Sequence, residues 1–81
     1  MRDLHREGTV AISRLYGQNL RLLRKQKRIS QDELAAMTGT TKQTISLYET
    51  GRKFPKPWFL LAASGIFDRS INDMLSIEMG L

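Results

Sequence analysis

The sequence contains no cysteine, so neither a disulfide nor a thiolate metal site can support the fold, and a reducing compartment is compatible with it. Its single histidine, His5, has no second candidate ligand in sight, which gives no basis for a metal centre or a histidine-dependent reaction. No apolar stretch approaches the roughly 20 residues of a membrane span. The opening segment, MRDLHREGTVAISRLYG, holds no uninterrupted apolar run of signal-peptide length, so the expected location is the cytoplasm. Also missing are a glycine-rich phosphate loop and carboxylates paired on a plausible cleft. An 81-residue chain has room for one domain and little for an enclosed catalytic pocket, so an enzyme is the least favoured class. No cofactor, no membrane contact and no small-molecule ligand are expected. Runs of β-branched residues are absent too, which excludes a sheet and leaves an all-α fold.

Acidic side chains are in deficit. Eight Asp and Glu face thirteen Lys and Arg, giving a formal charge of +5 and favouring a polyanionic partner. The excess is localised: residues 1–28 carry eight basic and two acidic side chains, and residues 51–59 carry three basic and none acidic. Two basic stretches thus flank a nearly neutral middle.

Gly39, Gly51, Pro55, Pro57 and Gly65 punctuate segments of helical spacing. A first helix should include Tyr16 to Lys27, with Tyr16, Leu20 and Leu23 on one face. Residues 1–15 read either as a backward extension of that helix or as a loose arm, since Gly17 costs about 1 kcal/mol relative to alanine inside a helix. Ser30-Gln31-Asp32-Glu33 has the form of a capping box and opens a second helix that should stop at Gly39. Thr40 or Thr41 caps a third, ending at Gly51, so two short helices are joined by a tight turn, the outline of a helix-turn-helix. A fourth helix is expected from about Pro57 through Ala63, and a fifth after Ser70, where Ser70-Ile71-Asn72-Asp73 again resembles a capping box.

Within QDELAAMTGTTKQTISLYET, residues 31–50, five positions fall in register for this motif. Ala35 must be small where the two helices cross, Gly39 supplies the turn, and Leu34, Ile45 and Tyr48 fill the space beneath. The pattern resembles the helix-turn-helix of the xenobiotic-response-element family, which includes phage Cro proteins and phage repressors. The likeness covers roughly Tyr16 to Leu75 and is carried by NLRLLRKQKRISQDELAAMTGTTKQTISLYETGRKFP, including the Ser-Gln opening of the second helix and the Glu-x-Gly ending of the third. The sequence departs from the family at Thr38 and Thr40, where aliphatic residues are usual, and over residues 66–69. The resemblance implies a compact, lambda-repressor-like bundle of about five helices, with helices two and three forming the motif and helix three as the reader. It also implies a bacterial or phage origin.

At 100° per residue, Lys42, Gln43, Ser46, Leu47 and Thr50 share one arc of the third helix, opposite Thr41, Thr44, Ile45, Tyr48 and Glu49. The outward arc suits double-stranded DNA. Gln43 can pair with adenine, Lys42 can reach guanine or a phosphate, Ser46 can donate or accept, and Leu47 can meet a thymine methyl. Backbone contacts are expected from Thr41, Thr50 and the loop cations Arg52, Lys53 and Lys56, with Gln31 implied by the resemblance to touch both a phosphate and the end of helix three. Arg24 and Glu49 stand where the family often has a partly buried ion pair. Met37, Met74 and Met79 are expected as core or interface filler, and Trp58 and Phe59 as the start of helix four's packed face, although Trp58 could lie near the DNA backbone.

Three units follow: an arm or helix extension over 1–15, the DNA-binding domain over 16–76, and a tail over 77–81. Proteins of this kind commonly dimerise on half-sites about 34 Å apart. Helix five offers a surface for a homodimer: Ile71, Met74 and Leu75 fit its inward face, while Ile77, Met79 and Leu81 continue an apolar tail that reads either as a dimer contact or as a frayed C-terminus. Repression of transcription is the simpler regulatory reading. The alternative, from another class, is a protein-interaction module such as an antitoxin or accessory subunit that does not read DNA.

Overall fold

Every helix start but the first and the fourth is fixed by a hydroxyl side chain, and those short-range signals set the frame of the molecule. In the computed structural model, which describes residues 2–76 and side chains from Val10 onward, the order is α1 (Arg2–Gln26), α2 (Gln31–Thr38), α3 (Lys42–Glu49), α4 (Pro57–Phe67) and α5 (Ile71–Met74). Among the described residues the fold is entirely helical. The side chain of His5 and all of Ile77, Met79 and Leu81, including the tail's possible dimer contact, lie outside the described residues.

Helix α1 runs unbroken through Gly17. A Cβ at that position would stand 2.3 Å from the Tyr48 carbonyl oxygen and 2.7 Å from that of Glu49. The helix-weakening residue is therefore what lets the backbones of α1 and α3 touch. One end of α1 closes without glycine: Arg28 takes a left-handed conformation, φ 59°, and the Ile29 amide donates to the Arg24 carbonyl at 3.2 Å.

Ser30 opens α2 by the reciprocal bonds the sequence predicts, with the Glu33 amide on Ser30 Oγ at 3.0 Å and the Ser30 amide on Glu33 Oε1 at 2.7 Å. Gly39, at φ 72°, ends it in the left-handed region, and Thr40 donates its amide back to Ala35 at 2.9 Å. Thr38, one of the departures from the family pattern, is buried without penalty because its hydroxyl donates to the Leu34 carbonyl at 2.8 Å. Thr41, rather than Thr40, caps α3, accepting from the Thr44 amide at 3.2 Å.

Helix α4 begins with Pro57 in its first turn but continues past Ala63, through Gly65, to Phe67. The stop is Asp68, left-handed at φ 53°, a conformation a short polar side chain tolerates. Arg69 then donates its amide to Ser64, whose hydroxyl donates back to the Arg69 carbonyl at 2.6 Å. Helix α5 is a single turn capped by Ser70, and buried Asn19 of α1 holds its end by donating both amide hydrogens, to Met74 at 2.8 Å and to Ser76 at 2.9 Å.

The core gathers Tyr16, Leu20 and Leu23 of α1, Leu34 and Ala35 of α2, Ile45 and Tyr48 of α3, Phe59, Ala63 and Phe67 of α4, and Met74. The Tyr48 and Phe59 rings meet edge to face at 4.8 Å. Met37 is half exposed and so does not fill the core, because only Leu34, Ala35 and Thr38 of its short helix face inward; Trp58 points outward, off the packed face that Phe59, one residue on and fully buried, begins.

Tyr16 is completely buried, and its hydroxyl has no partner among the described residues. Burial first, and the neighbouring Tyr48 second, push its phenol pKa well above the ordinary value. A buried donor left unsatisfied costs about 1–3 kcal/mol. Tyr16→Phe removes the hydroxyl and keeps the ring, so urea denaturation should show this variant as stable as the parent or more so; a loss above about 1 kcal/mol would mean the hydroxyl is satisfied.

Candidate nucleic-acid interface

The side chains that hold α3 in place and those that it displays are cleanly separated. Ile45, Tyr48 and Glu49 are buried and Thr44 is half-buried, whereas Lys42, Gln43, Leu47 and Thr50 are exposed and Ser46 is half-buried. Lys42, Gln43, Ser46 and Leu47 make no side-chain hydrogen bond or ion pair with any described residue. An outward strip of an amide, a hydroxyl, an ammonium and one apolar side chain is thereby left free to meet the edges of base pairs. Thr41 and Thr50, exposed at the two ends of α3, are tied back to it: Thr41 Oγ1 lies 3.1 Å from Thr44 Oγ1, and Thr50 Oγ1 donates to the Ser46 carbonyl at 2.8 Å.

Beneath the strip lies a buried polar knot. Glu49, with its side chain 3% exposed, accepts from Arg24 Nε at 2.6 Å and Nη2 at 3.1 Å, and from Gln31 Nε2 at 3.0 Å. The remaining Arg24 donor Nη1 reaches the Ile29 carbonyl at 2.9 Å. Three helices converge on one carboxylate, so the bidentate pair fixes α3 against both α1 and the start of α2. Gln31 thus touches the end of α3, the helix contact that the resemblance implies.

Above the knot is an open cleft lined by Arg21, Gln31, Lys42, Ser46 and Thr50 together with Ser30, Asp32, Arg24 and Glu49. It brings Gln31 of α2 together with Lys42 and Thr50 at the two ends of α3. The loop cations Arg52, Lys53 and Lys56 are all exposed, and follow α3 through a turn in which Gly51 is left-handed at φ 76°. A Cβ on Gly51 would fall 2.8 Å from the Cα of Arg14, a second backbone-level contact between the end of α3 and α1.

Sequence reasoning missed several participants. Arg21 enters the cleft one turn before Arg24, a spacing that could have flagged it. Gly17 was visible only as an anomaly, a glycine inside a strong helical pattern, and Asn19 and Arg14 carried no local signal at all. No group of three potential metal-ligating side chains occurs among the described residues, and no described helix is long and apolar enough to cross a membrane.

Two short helices joined by a glycine turn, the second buried on one face and displayed on the other, define a helix-turn-helix unit. Residues 15–70 match the family model described as a helix-turn-helix domain, and the chain belongs to that family. It is also similar to an uncharacterized HTH-type transcriptional regulator, YqaE, of Bacillus subtilis (strain 168), with 33% identity over 64 residues, 79% of this chain. The match spans about half, 55%, of that relative's length.

Proposed function

We propose that this chain is a sequence-specific, double-stranded-DNA-binding transcriptional regulator of the xenobiotic-response-element type, cytoplasmic and of bacterial or phage origin. It reads the major groove with α3 and acts as a repressor, bound as a homodimer to a pseudo-palindromic operator. The observation that carries this reading is the free outward strip of Lys42, Gln43, Ser46 and Leu47 on a helix whose opposite face is locked by the Arg24–Glu49–Gln31 knot. Gln43 is assigned to adenine, Lys42 to guanine or an adjacent phosphate, Ser46 to a base-edge donor or acceptor and Leu47 to a thymine methyl. Gln31, Thr41, Thr50, Arg52, Lys53 and Lys56 are assigned to the sugar-phosphate backbone, where they set register without reading sequence. Repression by occupying a promoter needs nothing beyond this interface. The similarity to a protein named as an HTH-type transcriptional regulator supports the regulatory reading.

The test is selection from a random duplex pool, followed by anisotropy titration of the winners at two salt concentrations. A two-fold symmetric site should be enriched, with affinity falling as salt rises. Gln43→Ala should lose roughly tenfold to a hundredfold on that site while leaving non-specific binding unchanged. Equal, weak binding to all sequences would sink the reading and favour the protein-interaction alternative.

A further inference from the structure

Helix α4, PWFLLAASGIF, has no charged residue, in a chain of which 26% is Asp, Glu, Lys or Arg. Its inner face, Phe59, Ala63 and Phe67, is buried in the core. The opposite face presents Trp58, Leu61, Ala62 and Gly65, spaced i, i+3, i+4 and i+7, with Trp58 47% and Leu61 67% exposed. Leu61 is the most exposed large apolar side chain among the described residues. Apart from Ser64, whose hydroxyl is tied to the Arg69 carbonyl, the helix is apolar on both faces, the pattern of a helix that is covered on both sides.

Gly65 supplies an independent observation. It sits inside the helix with an ordinary right-handed φ, and a Cβ added there would meet nothing within 4 Å. Among the described residues nothing makes use of this glycine, although it weakens the helix relative to alanine. A missing side chain on an outer face does serve the close approach of a second helix.

The flanking charges indicate which helix. Lys56 immediately precedes α4, Asp68 immediately follows it, and both are exposed. Residue 62, on the outer face, is midway between them. We infer that α4 pairs antiparallel with α4 of a second copy of this chain about a two-fold axis near Ala62, placing Lys56 of each copy beside Asp68 of the other. The same arrangement opposes the two helix dipoles favourably and lets two chains of charge +5 meet along a strip that carries no charge. Lys56 then marks the border between this strip and the loop assigned to phosphates.

An 11-residue helix is about 16 Å long, too short to bury the roughly 800 Å² per partner of a stable complex. The pairing is consequently weak in free solution, with a dissociation constant on the order of 100 μM, and is consolidated where two half-sites hold the copies side by side. This inference rests on the dimeric reading above, and names the surface that serves it.

Sedimentation equilibrium of the full chain up to about 1 mM, without DNA, tests it directly. The parent should associate reversibly, whereas Leu61→Glu and Gly65→Gln should remain monomeric. Circular dichroism should show Leu61→Glu melting like the parent and Gly65→Gln melting higher. A parent that stays monomeric throughout, or variants that associate as the parent does, would overturn the proposal. With duplex present, Leu61→Glu should lose at least about tenfold on a two-half-site operator and nothing on an isolated half-site. An absence of any sequence-specific duplex would overturn the DNA-reading proposal while leaving the association result to stand or fall by itself.

Discussion

Gly17→Ala is expected to bring this domain close to unfolding, against the sign that helix propensity gives. In an exposed helix the change would add about 1 kcal/mol of stability. Here the new methyl carbon would lie 2.3 Å from the Tyr48 carbonyl oxygen, with the Glu49 carbonyl carbon and oxygen at 2.9 and 2.7 Å. These are backbone atoms in the last turn of α3, so no rotamer change relieves the overlap and α1 and α3 must separate. Separation loosens Tyr16 and Leu20 from Tyr48 and Ile45 and stretches the Arg24–Glu49 pair. Overpacking a core typically costs 1–3 kcal/mol, and with rigid backbone on one side roughly 3 kcal/mol or more is expected. For a domain of this size that is a large fraction of about 5–10 kcal/mol. Urea denaturation monitored by circular dichroism measures it, and a variant as stable as the parent would show that the helices do not meet at this point.

Glu49→Ala is expected to cost a similar amount by a different route. The substitution leaves Arg24 with only the Ile29 carbonyl as partner and strips the Gln31 amide of its acceptor, inside a site where the two charged side chains are 11% and 3% exposed. Breaking one side of a buried pair costs roughly 3–5 kcal/mol because the abandoned charge stays desolvated. Replacing both partners, Arg24→Met with Glu49→Leu, should recover much of that loss, since the net worth of a buried pair against apolar side chains of similar size is small. The double-mutant cycle therefore separates the penalty of an orphaned cation from the value of the bond. A single-variant loss below about 1 kcal/mol would place the pair in the energetic class of surface ion pairs. In the same measurement series, the double variant should bind DNA less tightly than its stability implies, because Gln31 no longer has Glu49 to orient it.

The parts of this molecule that were legible in the sequence are those whose cause is local. Ser30 and Glu33 cap within four residues, Gly39 takes its left-handed turn with open space beyond its α-carbon, and Ile45 and Tyr48 fall inward by periodicity alone. The departures come from long-range packing. Gly17 reads as a weakness until the carbonyls of α3 are placed against it. Asn19 is an ordinary polar residue until the end of α5 arrives between its two donors. The end of α4 was hard to see because Asp68, not a glycine, adopts the left-handed conformation, and Gly65, which looked like a stop, is simply helical. The outward strip of α3 was readable as a face, since periodicity gives faces; the cleft contribution of Arg21 was not, because it depends on how α1 crosses α2 and α3.

The two backbone contacts at Gly17 and Gly51 carry a consequence for redesign. Because α3 is seated on α1 through main-chain atoms and through Glu49, its pose does not depend on the identity of the residues at 42, 43, 46 and 47. In the proposed DNA-reading role those four positions form an interchangeable cassette on a fixed mount: exchanging them should alter which bases are addressed without altering the angle of approach. New operator preferences should therefore be obtainable from a library confined to these sites, whereas the same diversity spread to the mount would be lost to misfolding.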